Sequence, residues 1–352
     1  MKLLFLDQFS ELGGAQQCLL DLLPALQHGV VKQAIVAMPG DGPMFERVRA
    51  LGFEIARIRC GPYASRSKTA GDMARFVFEA PRLARQIREL ARGADIVYIN
   101  GPRLLPAAAL SGIRERVVFH SHSYLPPGPV RKLSGLALRR LRARVIGSCR
   151  YVADPWRPYV SDISVVYNGV AGPERPRVKR NGPLTIGCIG RIAPEKGQRE
   201  FVEAARIIHG RMPEARFVIY GETMFASYDY EREVRATAAV LPIEFAGWAA
   251  NVYDALAKID MLLVPSAEHE ATTRVILEAF AAGVPVIAFP SGGIPEVLAA
   301  GSLAGSVQEM AEMACSRDRP GGLSHAADFT LERYRAEILN VLRQVGRQRA
   351  PA

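Results

Sequence analysis

Short apolar runs recur along the whole chain at intervals that each leave room for one helix, and this spacing is the strongest constraint on the fold. In the first half the runs are 3–6, 34–38, 54–58, 95–99, 117–119, 145–147 and 163–167, with helical patterns between them at 16–26, 45–51, 80–92 and, strongly basic, 130–144. Strands separated by helices form βαβ units around a parallel sheet, whose strands are covered on both faces and so read as apolar runs. From 168 to 183 the pattern breaks into a Pro-, Gly- and Arg-rich stretch without periodicity, which predicts a linker. A second series follows, with strands expected at 184–189, 216–220, 243–245, 261–264 and 286–289. The tail from 331 to 344 places Tyr334, Ile338, Leu339 and Leu342 at helical spacing. The expectation is an α/β protein of two tandem Rossmann-like domains: 1–167, linker 168–183, 184–330, and a terminal helical segment 331–352. A cleft between two such domains is a natural ligand site.

Composition narrows the class. A chain of 352 residues, 49% hydrophobic, can fill two such cores. The net charge of +10 is lopsided: residues 1–167 hold 24 Lys and Arg against 13 Asp and Glu, whereas 168–352 hold 21 against 22. A basic first half points to a polyanion, an anionic membrane surface or an acidic substrate without choosing among them. Nothing is apolar for the roughly eighteen residues a membrane span needs, and the N-terminus reads as a buried strand rather than a signal peptide. Five scattered cysteines without a C-x-x-C indicate neither a zinc site nor a disulfide framework, and a reducing cytoplasm is the simplest home.

The chemistry concentrates between Pro265 and Glu296. A strand ends at Pro265-Ser266, an acidic loop with Glu268, His269 and Glu270 follows, and Thr272 and Thr273 stand where a helix N-cap belongs. Glu278 lies on that helix, with seven residues between it and Glu270. Backbone amides at a helix start suit phosphate, and the carboxylates suit sugar hydroxyls. Taken alone, each glutamate reads as a solvated charge. Upstream, G-R-I-A-P-E-K-G (Gly190 to Gly197) leaves the end of a strand with Arg191, a planar fork of donors, and Lys196, a point charge. Together they can clamp a diphosphate; the plain alternative is two solvated loop cations. After the first strand, Gly13-Gly14 precedes a helix, but G-x-G-x-x-G and its ribose-binding acid are absent, so no dinucleotide fingerprint is present.

These motifs, with Tyr220-Gly221-Glu222, Phe245-x-Gly247, Asn168-Gly169-Val170 and Gly292-Gly293-x-x-Glu296, stand in one order along the chain. In that order and spacing the chain resembles a retaining glycosyltransferase of the GT-B fold, family 4. The resemblance implies two Rossmann-like domains facing each other across a cleft, with the C-terminal helix returning to the N-terminal, acceptor-binding domain. It implies that Arg191 and Lys196 neutralise the leaving diphosphate, that Glu278 holds the nucleotide ribose and that Glu270 meets the sugar. The backbone of Ala271, Thr272, Thr273, Arg274 and Val275, with Gly190, borders the donor, and Gly13 and Gly14 offer amides to its phosphate. In F-H-S-H, His120 matches the histidine facing the reacting carbon, as a positioning group first; His122 is the rival. Where many members carry G-F-G after the first glutamate, this chain has Ala271-Thr272-Thr273, and the acid that often follows N-G-V is Ala171.

The implied co-substrates are a nucleotide-sugar donor of UDP or GDP type and a hydroxyl acceptor, a glycan, lipid or small molecule. No cofactor is implied, and no D-x-D is present to hold a divalent ion, so metal independence is expected, as is no nucleic-acid partner. An epimerase of the same fold and a non-catalytic polyanion-binding protein are the competing readings. The basic stretch 130–144, with Leu133, Leu136, Leu141 and Val145, fits either a surface helix with its apolar stripe in the core or an interfacial helix on the inner face of an anionic membrane.

Overall fold

The computed structural model describes residues 1–27, 31–61, 70–178, 182–223, 228–316 and 329–347. It divides into two compact units, Met1–Gly169 with Leu331–Ala352, and Val170–Thr330.

In the first unit β1 (Lys2–Asp7), β2 (Gln33–Met38), β3 (Glu54–Arg57), β4 (Ile96–Asn100), β5 (Arg116–Ser121), β6 (Arg144–Gly147) and β7 (Ile163–Val165) form one sheet in the order β3-β2-β1-β4-β5-β6-β7. Every pairing is parallel, with Leu4 between Ile35 and Val97. The helices are α1 (Gly14–Leu26), α2 (Pro43–Ala50), α3 (Ala70–Ala91), α4 (Leu105–Ser111), α5 (Pro129–Arg140) and the short α6 (Arg150–Ala153). Because strand side chains alternate, Leu3 and Phe5 face a core shared with α1 and α2, while Leu4 and Leu6 face one shared with α3, α4 and α5. Strand order reverses between β1 and β4, the switch point where open α/β sheets bind ligands beyond the strands' carboxyl ends.

The second unit repeats the scheme. β8 (Thr185–Ile189), β9 (Arg216–Tyr220), β10 (Ile243–Gly247), β11 (Met261–Val264) and β12 (Val286–Ala288) run parallel in the order β10-β9-β8-β11-β12. Its helices are α7 (Gln198–Arg211), α8 (Tyr228–Ala238), α9 (Val252–Leu256), α10 (Arg274–Ala281) and α11 (Val307–Cys315). Its switch point lies between β8 and β11, the strands that lead into Arg191–Lys196 and into Glu270.

The last helix, α12 (Leu331–Arg347), belongs to the first unit. Tyr334, Ile338, Leu342 and Val345 enter the core beside α1, Tyr334 Oη donates to Cys18 O at 3.1 Å, and Arg335 Nε donates to Asp21 O at 2.6 Å. Burying each such aliphatic side chain contributes roughly 1.5–3 kcal/mol.

Each expected strand is present, with ends shifted by a residue or two. The helices differ more. The one expected at 80–92 begins at Ala70, and α4 had no periodic signal because its seven residues are nearly all apolar. The basic helix expected to reach 144 stops at Arg140; Arg142 takes a positive φ of 46° and Arg144 opens β6. Its buried face is Ser134, Gly135, Ala137 and Leu138; of the expected stripe Leu133 and Leu136 are exposed, whereas Leu141 packs against the core and Val145 is buried in β6. A Cβ at Gly135 would lie 2.4 Å from the Tyr159 ring, so the helix packs through its small residues and turns Leu133 and Leu136 outward. Part of the stretch read as a linker is pinned within the second unit: Val170 N donates to Phe329 O at 3.0 Å, and Arg177 Nη2 reaches Ile259 O at 2.6 Å and Asp260 Oδ1 at 2.9 Å. Residues 179–181 of that stretch, with 317–328 and 348–352 of the later segments, lie outside the described residues.

Candidate functional residues at the switch point of each unit

In the second unit Lys196 and Glu270, 74 residues apart in sequence, meet at the β8/β11 switch point. Lys196 Nζ lies 2.5 Å from Glu270 Oε1, with the two side chains only 25% and 12% exposed. The other carboxylate oxygen, Oε2, accepts from Thr273 Oγ1 at 2.9 Å. Thr273 does occupy the N-cap position of α10, but its hydroxyl is taken by Glu270 and caps no backbone amide. That leaves the α10 N-terminus free of its own side-chain cap, the state in which a helix start receives an external anion.

The backbone holds the pair in place through two glycines. Gly197, at φ 74°, brings its Cα so close to Pro265 that a Cβ would fall 1.9 Å from the Pro265 oxygen. Gly292, at φ 56°, does the same to Glu270, whose carbonyl would be 1.9 Å from an added Cβ and accepts from Gly293 N at 2.8 Å. His269, immediately before Glu270, has a positive φ of 49°, sparsely populated for a non-glycine residue, and so sharpens the loop that presents the glutamate.

Arg191 and Glu278 stand nearby in sequence but are engaged elsewhere. Arg191 Nη2 pairs with Glu195 Oε1 at 2.5 Å, and Arg274 Nη2 with Glu278 Oε1 at 3.3 Å along the first turn of α10. Gly190, at the end of β8, donates its N–H to Tyr220 O at 2.9 Å. Thr272 is buried, while Ala271 is half-buried ahead of the helix. Among the described residues no three His, Cys, Asp or Glu side chains gather as a metal-binding group.

At the β1/β4 switch point of the first unit a buried carboxylate organises the glycine turn. Asp7 accepts from Phe9 N (2.9 Å), Gln16 Nε2 (2.8 Å) and Asn100 Nδ2 (2.5 Å), and Asn100 also donates to Ala15 O at 3.3 Å. Burial raises the Asp7 carboxyl to about 6 despite these donors. Gly13 is the N-cap of α1 and Gly14 its first residue, both exposed, with Gln17 N donating back to Gly13 O at 2.9 Å. Asp7 thus ties β1, β4 and α1 together directly beneath the exposed amides.

His120 is fully buried on β5, its Nδ1 2.5 Å from Tyr98 Oη. Burial, and then His122, push its pKa well below the usual imidazole value, so the ring is neutral; burial pushes the Tyr98 phenol well up, so it keeps its proton. If Tyr98 donates, one group is left over, an Nε2–H; if it accepts, its own hydroxyl hydrogen and Nε2 are both stranded. The first arrangement is the cheaper one and makes Nε2 a hydrogen-bond donor. Nε2 is buried without a protein partner. The His122 ring lies against it, centroids 3.7 Å apart.

A model described as "Glycosyltransferase Family 4" matches residues 12–171, and one described as "Glycosyl transferases group 1" matches residues 183–321. The chain belongs to the family 4, group 1 glycosyltransferases. Among curated members it is 30% identical over 181 residues to 2-deoxystreptamine glucosyltransferase of Streptomyces kanamyceticus, covering 44% of this chain and 46% of that one. It is 31% identical over 118 residues to sulfoquinovosyl transferase SQD2 of Arabidopsis thaliana, covering 33% and 21%. These matches span between about a fifth and a half of the relatives' lengths. Among solved structures, HepE of Anabaena in complex with UDP superposes with a TM-score of 0.79 at 21% identity, covering 98% of this chain and all of that one, and so shares the GT-B fold.

For a glycosyltransferase of this family, sequence reasoning had overlooked several supports. Gln198 is wholly buried and grips the G-R-x4-K loop, its Nε2 on Arg191 O (2.9 Å) and its Oε1 accepting from Ala193 N (3.3 Å). Glu195, Asp7, Asn100 and Tyr98 were also missed. Asp7 and Asn100 share one signal, a polar residue closing a buried strand, which becomes informative only once strand order is known.

Proposed function

We propose that this chain is a retaining glycosyltransferase that moves a sugar from a nucleoside-diphosphate donor, of UDP or GDP type, to a hydroxyl acceptor without a metal ion. The observation that carries it is the Lys196–Glu270–Thr273 cluster at the β8/β11 switch point, beside the uncapped start of α10. The donor's diphosphate takes Glu270's place as the partner of Lys196 and lies against the amides of 271–275. Glu270, released at Oε1, accepts from the sugar's hydroxyls. Arg191 supplies a second cation, and Glu278 accepts from the ribose. As the bond from the anomeric carbon to phosphate oxygen loosens, Lys196 and Arg191 stabilise the charge that collects on the diphosphate. The acceptor oxygen then bonds to the anomeric carbon on the face the phosphate leaves, and its proton passes to the departing phosphate oxygen. A two-carboxylate glycosidase scheme is not invoked, since Glu270 is assigned to hydroxyls.

His120 and the Gly13-Gly14 turn of the first unit are assigned roles by the family resemblance, His120 as a positioning donor through Nε2 and Gly14 as an amide for phosphate. Several relatives are named for lipid or lipopolysaccharide acceptors, among them a mannosyltransferase acting on monoacylated phosphatidylinositol monomannoside in Corynebacterium glutamicum. They support a hydroxyl on a lipid or glycan.

The test is a melting-temperature screen with UDP, GDP, ADP and their sugars, because a ligand that binds only the folded state raises the midpoint. One nucleotide diphosphate should raise it, and its sugar should be slowly hydrolysed in chelator. No shift with any of them refutes the reading; activity abolished by chelator and restored by a divalent ion refutes metal independence.

A further inference from the structure

Ten large hydrophobic side chains stand exposed among the described residues, and six of them, Val77, Phe78, Leu110, Val130, Leu133 and Leu136, lie on α3, α4 and α5 of the first unit. These three helices form one layer over the sheet: α3 packs on α4, and α4 on α5. On α3, Phe78, Arg82 and Arg85 recur at spacings of four and three, which sets them along one outward stripe, and Arg92 follows seven residues on, just past the helix end. On α5, Lys132, Arg139 and Arg140 flank the exposed leucines, and the helix carries no acid.

Between α3 and α4 lies a groove of about 540 Å³ lined by Arg85, Arg88, Arg92, Glu89, Pro81 and Leu110. Arg85 and Glu89 stand four apart yet make no ion pair, and no carboxylate engages Arg88 or Arg92 among the described residues. An ordinary surface helix would turn leucines inward. Here Ser134, Gly135 and Ala137 of α5 take the buried side with Leu138, and Leu133 and Leu136 are left outside beside basic residues.

We propose that the outer face of α3, α4 and α5 docks on an anionic phospholipid bilayer, the apolar side chains entering the interface and the arginine groove taking lipid phosphate. Apolar side chains ringed by cations are what an acidic bilayer surface selects, since neither term suffices alone. The docking is independent of the donor reading, because the residues invoked belong to the other unit from Lys196 and Glu270.

Co-sedimentation of the full chain with phosphatidylcholine vesicles, with and without phosphatidylglycerol, tests it. Binding is expected only to the acidic vesicles. The triple variant Arg85→Ala, Arg88→Ala, Arg92→Ala should bind about a hundredfold more weakly, at roughly fivefold per charge. Leu133→Ser with Leu136→Ser should also release the protein, with its melting midpoint and its response to UDP unchanged, which separates this result from failure of the donor assignment. No pelleting with acidic vesicles, or equal pelleting of the variants, overturns the proposal. So does a wild-type dimer that the leucine variant splits, which would make the face a self-association surface. Binding of a single-stranded oligonucleotide that the arginine variant loses and the leucine variant keeps would assign the face to polyanions instead.

Discussion

If Lys196 exchanges Glu270 for the donor's diphosphate, then in the free enzyme Glu270 competes with nucleotide. Replacing Glu270 with Gln removes the competing charge, so UDP without its sugar should bind more tightly in the variant while transfer falls. The magnitude follows from the pair's setting. Exposed ion pairs are worth about 0–1 kcal/mol and removing a partner from a buried one about 3–5; with side chains 25% and 12% exposed, this pair lies between. A release of about 1–2 kcal/mol corresponds to UDP binding roughly five- to thirtyfold tighter. Lys196→Met should weaken UDP about tenfold, because a charge-assisted contact is lost but part of it was already spent on Glu270, and should lower turnover roughly a hundred- to a thousandfold. Uridine, lacking phosphate, should bind all forms alike. Isothermal titration of UDP and uridine against wild type, the two single variants and the double variant provides the full cycle. If Glu270→Gln leaves UDP affinity unchanged or weaker, or if uridine follows UDP across the set, the exchange does not occur.

Other outcomes follow from the same geometry. Gly292→Ala must move a Cβ 1.9 Å from the Glu270 oxygen and adopt φ 56°, so urea unfolding should show a loss of roughly 2–4 kcal/mol, with UDP-sugar turnover falling further than stability explains. Asp7 has its folded pKa raised from 3.8 to about 6, so its contribution to stability is full below pH 3.8 and lost as pH rises through about 6. That difference is worth about 3 kcal/mol, and the gap in urea midpoints between wild type and Asp7→Asn should change over this window and stay flat above it. Tyr334→Phe deletes the hydroxyl that donates to Cys18 O and should reduce stability by about 1 kcal/mol without altering UDP binding.

The strands were legible because a parallel sheet buries both faces of each strand, and apolar runs such as 96–99 and 261–264 have no polar alternation to obscure them. Lys196 and Glu270, which meet in space, were legible as residue types, since loops at strand ends carry few other reasons for such residues. What was hidden depends on distance in space. Nothing in the order of residues says that Lys196 rests on Glu270 rather than in solvent, or that the Thr273 hydroxyl is diverted from capping. That Leu133 and Leu136 face outward while Leu141 packs inward was hidden for a related reason. Periodicity ranks leucine as the residue to bury, but at Gly135 the Tyr159 ring comes too near for any side chain, and close approach outweighed hydrophobicity.

Helix α12 carries a consequence for how the molecule is made. The second unit is a single uninterrupted stretch, Val170–Thr330, whereas the first needs Tyr334, Ile338 and Leu342 from a segment that follows the second in sequence. During synthesis the second unit can therefore finish while the earlier-made one still shows the ribosome exit and the chaperones an uncovered flank of α1. A premature stop anywhere before Leu331 would strand the first unit in that half-covered condition, and loss of yield rather than loss of catalysis would be its mark.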